Sequence, residues 1–331
     1  MTLQKLKSLL ACLEQEDYPQ HSRVHKLQIG RDLGVDCYIK REDELGCLLS
    51  GSKVRKYRSL IPALKKARAQ EVGLIGGSHS NHILGLSSLL IENNFVPTLF
   101  LCSAHEKSLI GNALFSRLMV PERNIFFIER ANWPHVEEIA ATWQQQAPGR
   151  LVVPEGGATV DCIAGLATLA CDIITNEEAI HTPFQELLID SGTGLTAACL
   201  IATFGYLQRS VKIHVCLAAS NEAAFRQKLN EAKSALETLT QEKIATLPDY
   251  VQHTPPVAPS FGATNSTIFR TIAHTAKHEG LFLDPIYSSK LYLLLETLLK
   301  EKALQGPVLF IHSGGLFSLS GFQESLTKQL D

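Results

Sequence analysis

Long apolar runs are missing from this 331-residue chain. No stretch nears the ~18 consecutive apolar residues that a membrane-crossing helix needs, so no membrane partner is expected. The first segment, MTLQKLKSLLACLEQEDYPQ, turns acidic after a short apolar run and lacks a cleavage pattern, so no signal peptide is expected either. An excess of one charge is also missing: 31 Lys and Arg face 33 Asp and Glu, a formal net charge of −2. That gives no electrostatic footprint for nucleic acid. Closely spaced cysteine pairs are absent, for Cys12, Cys37, Cys47, Cys102, Cys162, Cys171, Cys199 and Cys216 form neither CxxC nor CxxxxC. Buried, reduced thiols in a cytoplasmic protein are expected rather than a disulfide framework or a metal site. There is no internal repeat and no low-complexity tract. What is present is 45% apolar and 19% charged residues, enough for a sizeable core and too little polarity for disorder. The length suits one large domain or two interleaved ones.

From Lys53 onward, short apolar runs alternate with helical patterns. Val54, Tyr57, Leu60, Ile61 and Leu64 form a stripe at spacings of three and four, which predicts an amphipathic helix. VGLIGG, PTLFLC, NIFFIE, RLVVP, ELLIDS, VKIHVCLA and PVLFIHS read as strands. Helices are expected between them, including residues 81–92, 195–207, 220–241, 266–278 and 288–302. Nearly all-apolar strands alternating with helices predict an α/β fold with parallel sheets covered on both faces. The segment TLPDYVQHTPPVAPSFGATN, with four prolines, reads as a long loop lining a site.

Ligands in such folds gather beyond the strand carboxyl ends. Three strand-end loops there are rich in Gly, Ser and Thr: Gly76 to His82, Ser191 to Thr196, and His312 to Gly315. Each precedes a helix and offers free N–H groups at the positive end of its dipole, which suits an anion. Gly192 to Ala197 matches the dinucleotide pattern GxGxxA. That pattern needs an acidic residue at the end of the next strand, and none occurs before Glu222. A monophosphate is favoured over a dinucleotide. Lys53 starts a helix, electrostatically the wrong end for a cation. It reads either as a solvated basic helix start or as an amine kept neutral by burial, the helix dipole, Arg55 and Lys56, and so able to form a Schiff base.

Lys40-Arg41-Glu42-Asp43, Gly51-Ser52-Lys53-Val54-Arg55-Lys56, Gly76-Gly77, Ser80-Asn81-His82, Ser191 to Gly194, Asp284-Pro285-Ile286-Tyr287 and Ile311 to Gly315 occur in an order that resembles one family. It is the pyridoxal-phosphate enzymes of the tryptophan-synthase-β-like fold (fold type II), in the branch of 1-aminocyclopropane-1-carboxylate deaminase and D-cysteine desulfhydrase. The resemblance runs from about Val24 to Gly321. It implies two open, mostly parallel twisted sheets. A small domain would span 53–160 and a large one 1–52 plus 161–331, with pyridoxal 5′-phosphate in the cleft between them.

The resemblance also implies roles. Lys53 would hold the cofactor and later act as a base. Gly192, Thr193, Gly194, Leu195 and Thr196 would cradle its phosphate. Ser80, Asn81 and His82 would meet the substrate carboxylate, Asn81 also reaching the cofactor's 3′-oxygen. Ser80 would be placed for attack or proton relay, and Tyr287 would face the reacting carbon. Ser288 and Ser313 would lie near the pyridine nitrogen, where the deaminases carry glutamate and leucine. Two hydroxyls there lean toward β-elimination from a small cysteine-like amino acid, giving hydrogen sulfide, ammonia and pyruvate. The alternatives are the cyclopropane-opening deaminase, or a homologue that binds the cofactor or an amino acid with altered or lost catalysis. Phe261 replaces a tyrosine of the branch, Leu84 and Gly85 replace an Arg-Gln pair, Ser52 replaces an asparagine, and His79 replaces a glutamine and adds a titratable group. Members of the family often form homodimers.

Overall fold

The computed structural model describes residues 2–13, 18–46, 51–102 and 109–330; Cys47 lies outside them. In chain order the elements are α1 (Leu3–Ala11), β1 (Val24–Lys26), β2 (Cys37–Lys40), α2 (Lys53–Lys66), β3 (Glu71–Gly77), α3 (Asn81–Glu92), β4 (Val96–Cys102) and α4 (Gly111–Met119). They continue with β5 (Ile125–Ile128), α5 (Val136–Gln145), β6 (Arg150–Val153), α6 (Ile163–Ile180), β7 (Glu186–Ser191), α7 (Leu195–Tyr206) and β8 (Lys212–Leu217). The last are α8 (Glu222–Thr240), β9 (Tyr250–His253), α9 (Ser266–Glu279), α10 (Ser288–Lys300), β10 (Val308–Ile311) and α11 (Gln323–Thr327).

The strands form two sheets, one in the order β1-β2-β10-β7-β8-β9 and the other β5-β4-β3-β6. Among the described residues only β1 runs antiparallel to its neighbour; the other pairings are parallel. This is the mixed α/β architecture expected from the sequence. The reason is visible in β7 and β10, whose Leu187, Leu188, Leu309 and Phe310 are all fully buried, so both faces of the sheet are covered. Val72 and Leu74 of the smaller sheet share one hydrophobic core with Leu187 and Ile189 of the larger, through helices α2, α6 and α7. A second core, with Leu188, Phe310 and Leu291, covers the other face of the larger sheet, and a third, with Ile75, Phe100 and Trp143, that of the smaller.

One segment differs from expectation. The stretch read as a single long loop contains β9, which adds to the larger sheet beside β8. Its half-exposed Tyr-Val-Gln-His sequence marks an edge strand, and edge strands lack the apolar run that betrays central ones. No disulfide joins the seven described cysteines to one another, and burial pushes Cys37, Cys199 and Cys216 up to about 12. Among the described residues no helix is long and apolar enough to cross a membrane.

Candidate active site

Lys53 is the first residue of α2, and the turn before it is tied to the loop after β10. The Ser52 N–H donates to the Ser313 carbonyl at 2.9 Å. Gly51 has φ +50°, and a Cβ there would stand 2.5 Å from the same carbonyl oxygen, so the two backbones touch. Among the described residues the Lys53 amine has no hydrogen bond or ion pair; its Nζ lies 6.0 Å from the centre of the Tyr287 ring. Burial lowers its pKa, and Asp190 and Asp284 oppose that shift. Of the positive neighbours expected to act together with burial, Arg55 is turned away into ion pairs with Glu42 and Asp172, while Lys56 is near enough for the two amines to repel one another. Lys56 donates to the Gly156 carbonyl at 2.8 Å, and burial brings its pKa down to about 8.

The loop Gly192 to Thr196 joins β7 to α7. Gly194, at φ +94°, takes the left-handed turn that starts α7, and no side chain caps that helix. Its first-turn N–H groups therefore remain available to an anion. Gly192 borders Tyr287, for a Cβ there would lie 3.4 Å from the ring. Lys53, Tyr287 and the 192–196 loop are thus brought together from three separate parts of the chain.

Ser80 caps α3, its hydroxyl oxygen accepting from the N–H groups of His82 and Ile83. Its hydroxyl proton remains free to be donated elsewhere. Asn81 Oδ1 accepts from Asn112 at 2.7 Å, and a Cβ on Gly315 would stand 2.7 Å from Asn81 Nδ2. Asn81 therefore abuts the loop after β10, where Gly315 has φ +86°. His82 is buried, with Nδ1 3.0 Å from the Tyr57 hydroxyl. Burial, then Lys56 and Lys53, hold its pKa well below the usual imidazole range, so it is neutral. The His79 side chain is exposed. Leu84 and Gly85 lie in the buried part of α3.

Asp284 organises the turn that presents Tyr287. Its carboxylate accepts from the N–H groups of Ile286, Tyr287 and Ser288 and from the Ser288 hydroxyl. Ser288 is fully buried with its hydroxyl engaged there. Burial, reinforced by Asp284, Asp190 and Glu155, raises the Tyr287 pKa and keeps the phenol protonated. Phe261 is 65% exposed, with its ring centre 6.4 Å from that of Tyr287. Ser313, after β10, holds the pKa of the Asp190 carboxyl down against the larger effect of burial, which raises it. Sequence reasoning passed over Asp190. The signal was an acid near the end of the otherwise apolar run ELLIDS, just before the glycine loop.

Sequence reasoning also missed the role of the KRED segment. Lys40 and Asp172 pair in the interior, and Arg55 joins both Glu42 and Asp172, Nη2 reaching each at 2.7 Å. His21 and Ser22 complete the shell around Asp172 and Glu42. This network fixes α2, and with it Lys53, against β2 and α6. An Asp inside the apolar helix sequence CIAGLATLACDII was the available sign.

The profile of the family described as pyridoxal-phosphate dependent enzyme matches residues 21–314. The chain belongs to that family. A D-cysteine desulfhydrase of Yersinia pestis is 27% identical over 311 residues, covering 88% of this chain and 89% of its own. A Pyrococcus horikoshii protein, provisionally named 1-aminocyclopropane-1-carboxylate deaminase, is 26% identical over 307 residues, 91% of each chain. The crystal structure of a homologue of that deaminase superposes with a TM-score of 0.85 over 98% of this chain and 99% of its own, at 24% identity. The fold is therefore fold type II, and the chain is a pyridoxal-phosphate enzyme. Its residues suit that cofactor: the Lys53 amine, without a hydrogen bond among the described residues, stands near the Tyr287 ring, and an uncapped helix start lies beside that ring.

Proposed function

We propose that this family member is a lyase that removes a β-substituent from a small, cysteine-like amino acid. Lys53 would hold the cofactor, Gly192 to Thr196 its phosphate, and Asn81 its 3′-oxygen. When bound, pyridoxal phosphate draws electrons from the α-carbon of an amino acid joined to it. Ser80 donates its free hydroxyl proton to the substrate carboxylate, beside the N–H groups that open α3. Once the substrate amine has displaced it, Lys53 takes the α-proton; its unpartnered amine, with a pKa lowered by burial, is suited to that. The β-substituent leaves as thiol, and water completes the conversion to a 2-oxo acid and ammonia.

The observation that carries this reading is the pairing of an unpartnered Lys53 with a phenol held protonated. Removing an α-proton needs one base, which Lys53 supplies. Opening a cyclopropane offers no α-proton and calls for an attacking group at a ring carbon. A Tyr287 phenol with raised pKa is a poor nucleophile, and Phe261 adds no second phenol. The names of the relatives favour the desulfhydrase and the deaminase equally. The test is turnover by the purified holoenzyme of D-cysteine, L-cysteine and 1-aminocyclopropane-1-carboxylate. Sulfide with pyruvate from one cysteine enantiomer, and no 2-oxobutanoate from the cyclopropane, is expected. 2-Oxobutanoate as the main product would replace this reading with the deaminase, and no turnover of any would leave a binding homologue.

A further inference from the structure

Asp190 stands near the carboxyl end of β7, the strand that leads into the 192–196 loop. Its Oδ1 is shielded from solvent and has no hydrogen-bond partner. The groups that act on it come from every side of the cleft: Ser313 and His312 after β10, Asp284 before α10, and Lys53 at the start of α2. Of the two carboxylates that act on Lys53, Asp284 is fully engaged by three N–H groups and a hydroxyl. Asp190 alone of the two keeps an oxygen free.

The chemistry of the cofactor says what that oxygen would meet. In pyridoxal phosphate the ring carbon that bears the lysine-binding aldehyde sits opposite the ring nitrogen, and the phosphate arm is on the next ring carbon. With Lys53 on one side and the phosphate at Gly192 to Thr196, the nitrogen would point away from Lys53, toward the strand ends of the larger sheet. The free oxygen of Asp190 is at the end of one of those strands, and Ser313 follows another. Ser288 does not compete, because its hydroxyl is engaged with Asp284.

We infer that Asp190 is the acidic partner of the cofactor's pyridine nitrogen and keeps that nitrogen protonated. The site is then not one of hydroxyls alone, as Ser288 and Ser313 suggested. A carboxylate makes the ring a strong electron sink, and this chain supplies it from β7. Burial, with repulsion by Asp284, pushes the Asp190 carboxyl up to about 6. An acid so placed has more to gain from a cationic neighbour than one in water. The inference rests on cofactor binding and not on which substrate is processed.

The test uses the full chain loaded with pyridoxal phosphate labelled with nitrogen-15 in the ring, with no substrate present. In the wild type the ring-nitrogen resonance should sit at its protonated position from pH 6.5 to 8.5. In Asp190→Asn, with cofactor retained, it should move to the neutral position. A neutral nitrogen in the wild type would overturn the inference without recourse to any variant. So would a protonated nitrogen that persists in Asp190→Asn. Failure to turn over cysteine would leave the resonance unaffected, so the two readings fail separately.

Discussion

At the scale of the residue, Asp190 should weaken the apoprotein that contains it. Its carboxyl rises to about 6 in the fold from an ordinary 3.8, through burial and the nearby Asp284. A carboxyl with a raised folded pKa disfavours folding once it ionises. The penalty is absent below the unfolded value, grows between pH 4 and 6, and is complete above. Its ceiling is about 3 kcal/mol at neutral pH, reduced by whatever water the cleft admits. Asp190→Asn should therefore raise the denaturation midpoint of the apoprotein at pH 7.5, and the gain should vanish toward pH 4. Chemical unfolding of both proteins across that range checks it. An unchanged midpoint at pH 7.5 would mean that Asp190 is not strained in the fold. Such strain at a site is what a residue selected for chemistry rather than stability shows. It also explains why Asp190 was hard to find. A lone Asp within ELLIDS looks like a strand end, and only the arrangement of Lys53, Ser313 and Asp284 around it gives it meaning. The hydroxyl of Ser288 is the converse: its position in the motif was legible, and its engagement with Asp284 was not.

At the scale of the element, α2 decides where Lys53 stands, and two features hold α2. One is the interior network of Arg55, Lys40, Glu42 and Asp172. The other is the close crossing of α2 on α6, where a Cβ on Gly165 would stand 1.8 Å from the Arg55 carbonyl and Ser59 Oγ accepts from the Gly165 N–H. Removing one member of a buried charge network strands its partners, at about 3–5 kcal/mol. Asp172→Ala leaves Lys40 and Arg55, both buried, to share Glu42 as counter-charge, so it should lower stability by that amount and also weaken cofactor binding. Denaturant unfolding and cofactor titration measure the two effects. A loss below about 1 kcal/mol would show that the network behaves like a surface ion pair. The central strands and most helices were readable because burial on both faces leaves continuous apolar runs. Segments β1, β2 and β9 were not, since VHK, CYIK and YVQH mix polar with apolar residues and leave no continuous apolar run. The network was invisible for another reason: its members are 132 positions apart from Lys40 to Asp172, and only the fold unites them.

At the scale of the whole molecule, the site exists only where distant parts of the chain meet, at the start of α2, the β7–α7 loop and the loop after β10. The alternation of strands and helices made the α/β class legible, and the motif order made the family legible. Which groups face one another across the cleft depended on the packing of both sheets about one shared core. Lys53 gives this a thermodynamic signature with two opposite signs. In the apoprotein its side chain is half-buried, with no hydrogen bond among the described residues, and desolvation lowers its pKa from an ordinary 10.5. A lysine with a depressed folded pKa disfavours folding while it is protonated in the unfolded chain. The penalty is therefore present at neutral pH and fades as pH rises toward 10.5. Lys53→Ala removes it, so the apo variant should melt above the apo wild type at pH 7.5, by a margin that shrinks toward pH 10.5. With cofactor the order should reverse. A ligand that binds only the folded chain stabilises it by about 2.7 kcal/mol at a hundredfold excess over Kd, and the wild type adds a covalent link that the alanine variant lacks. Thermal melts of both proteins, with and without pyridoxal phosphate, contain the whole test. Equal stabilisation of the two by cofactor would remove Lys53 from its assigned role, whereas a crossing of the two orders would tie its strain in the empty cleft to the ligand that relieves it.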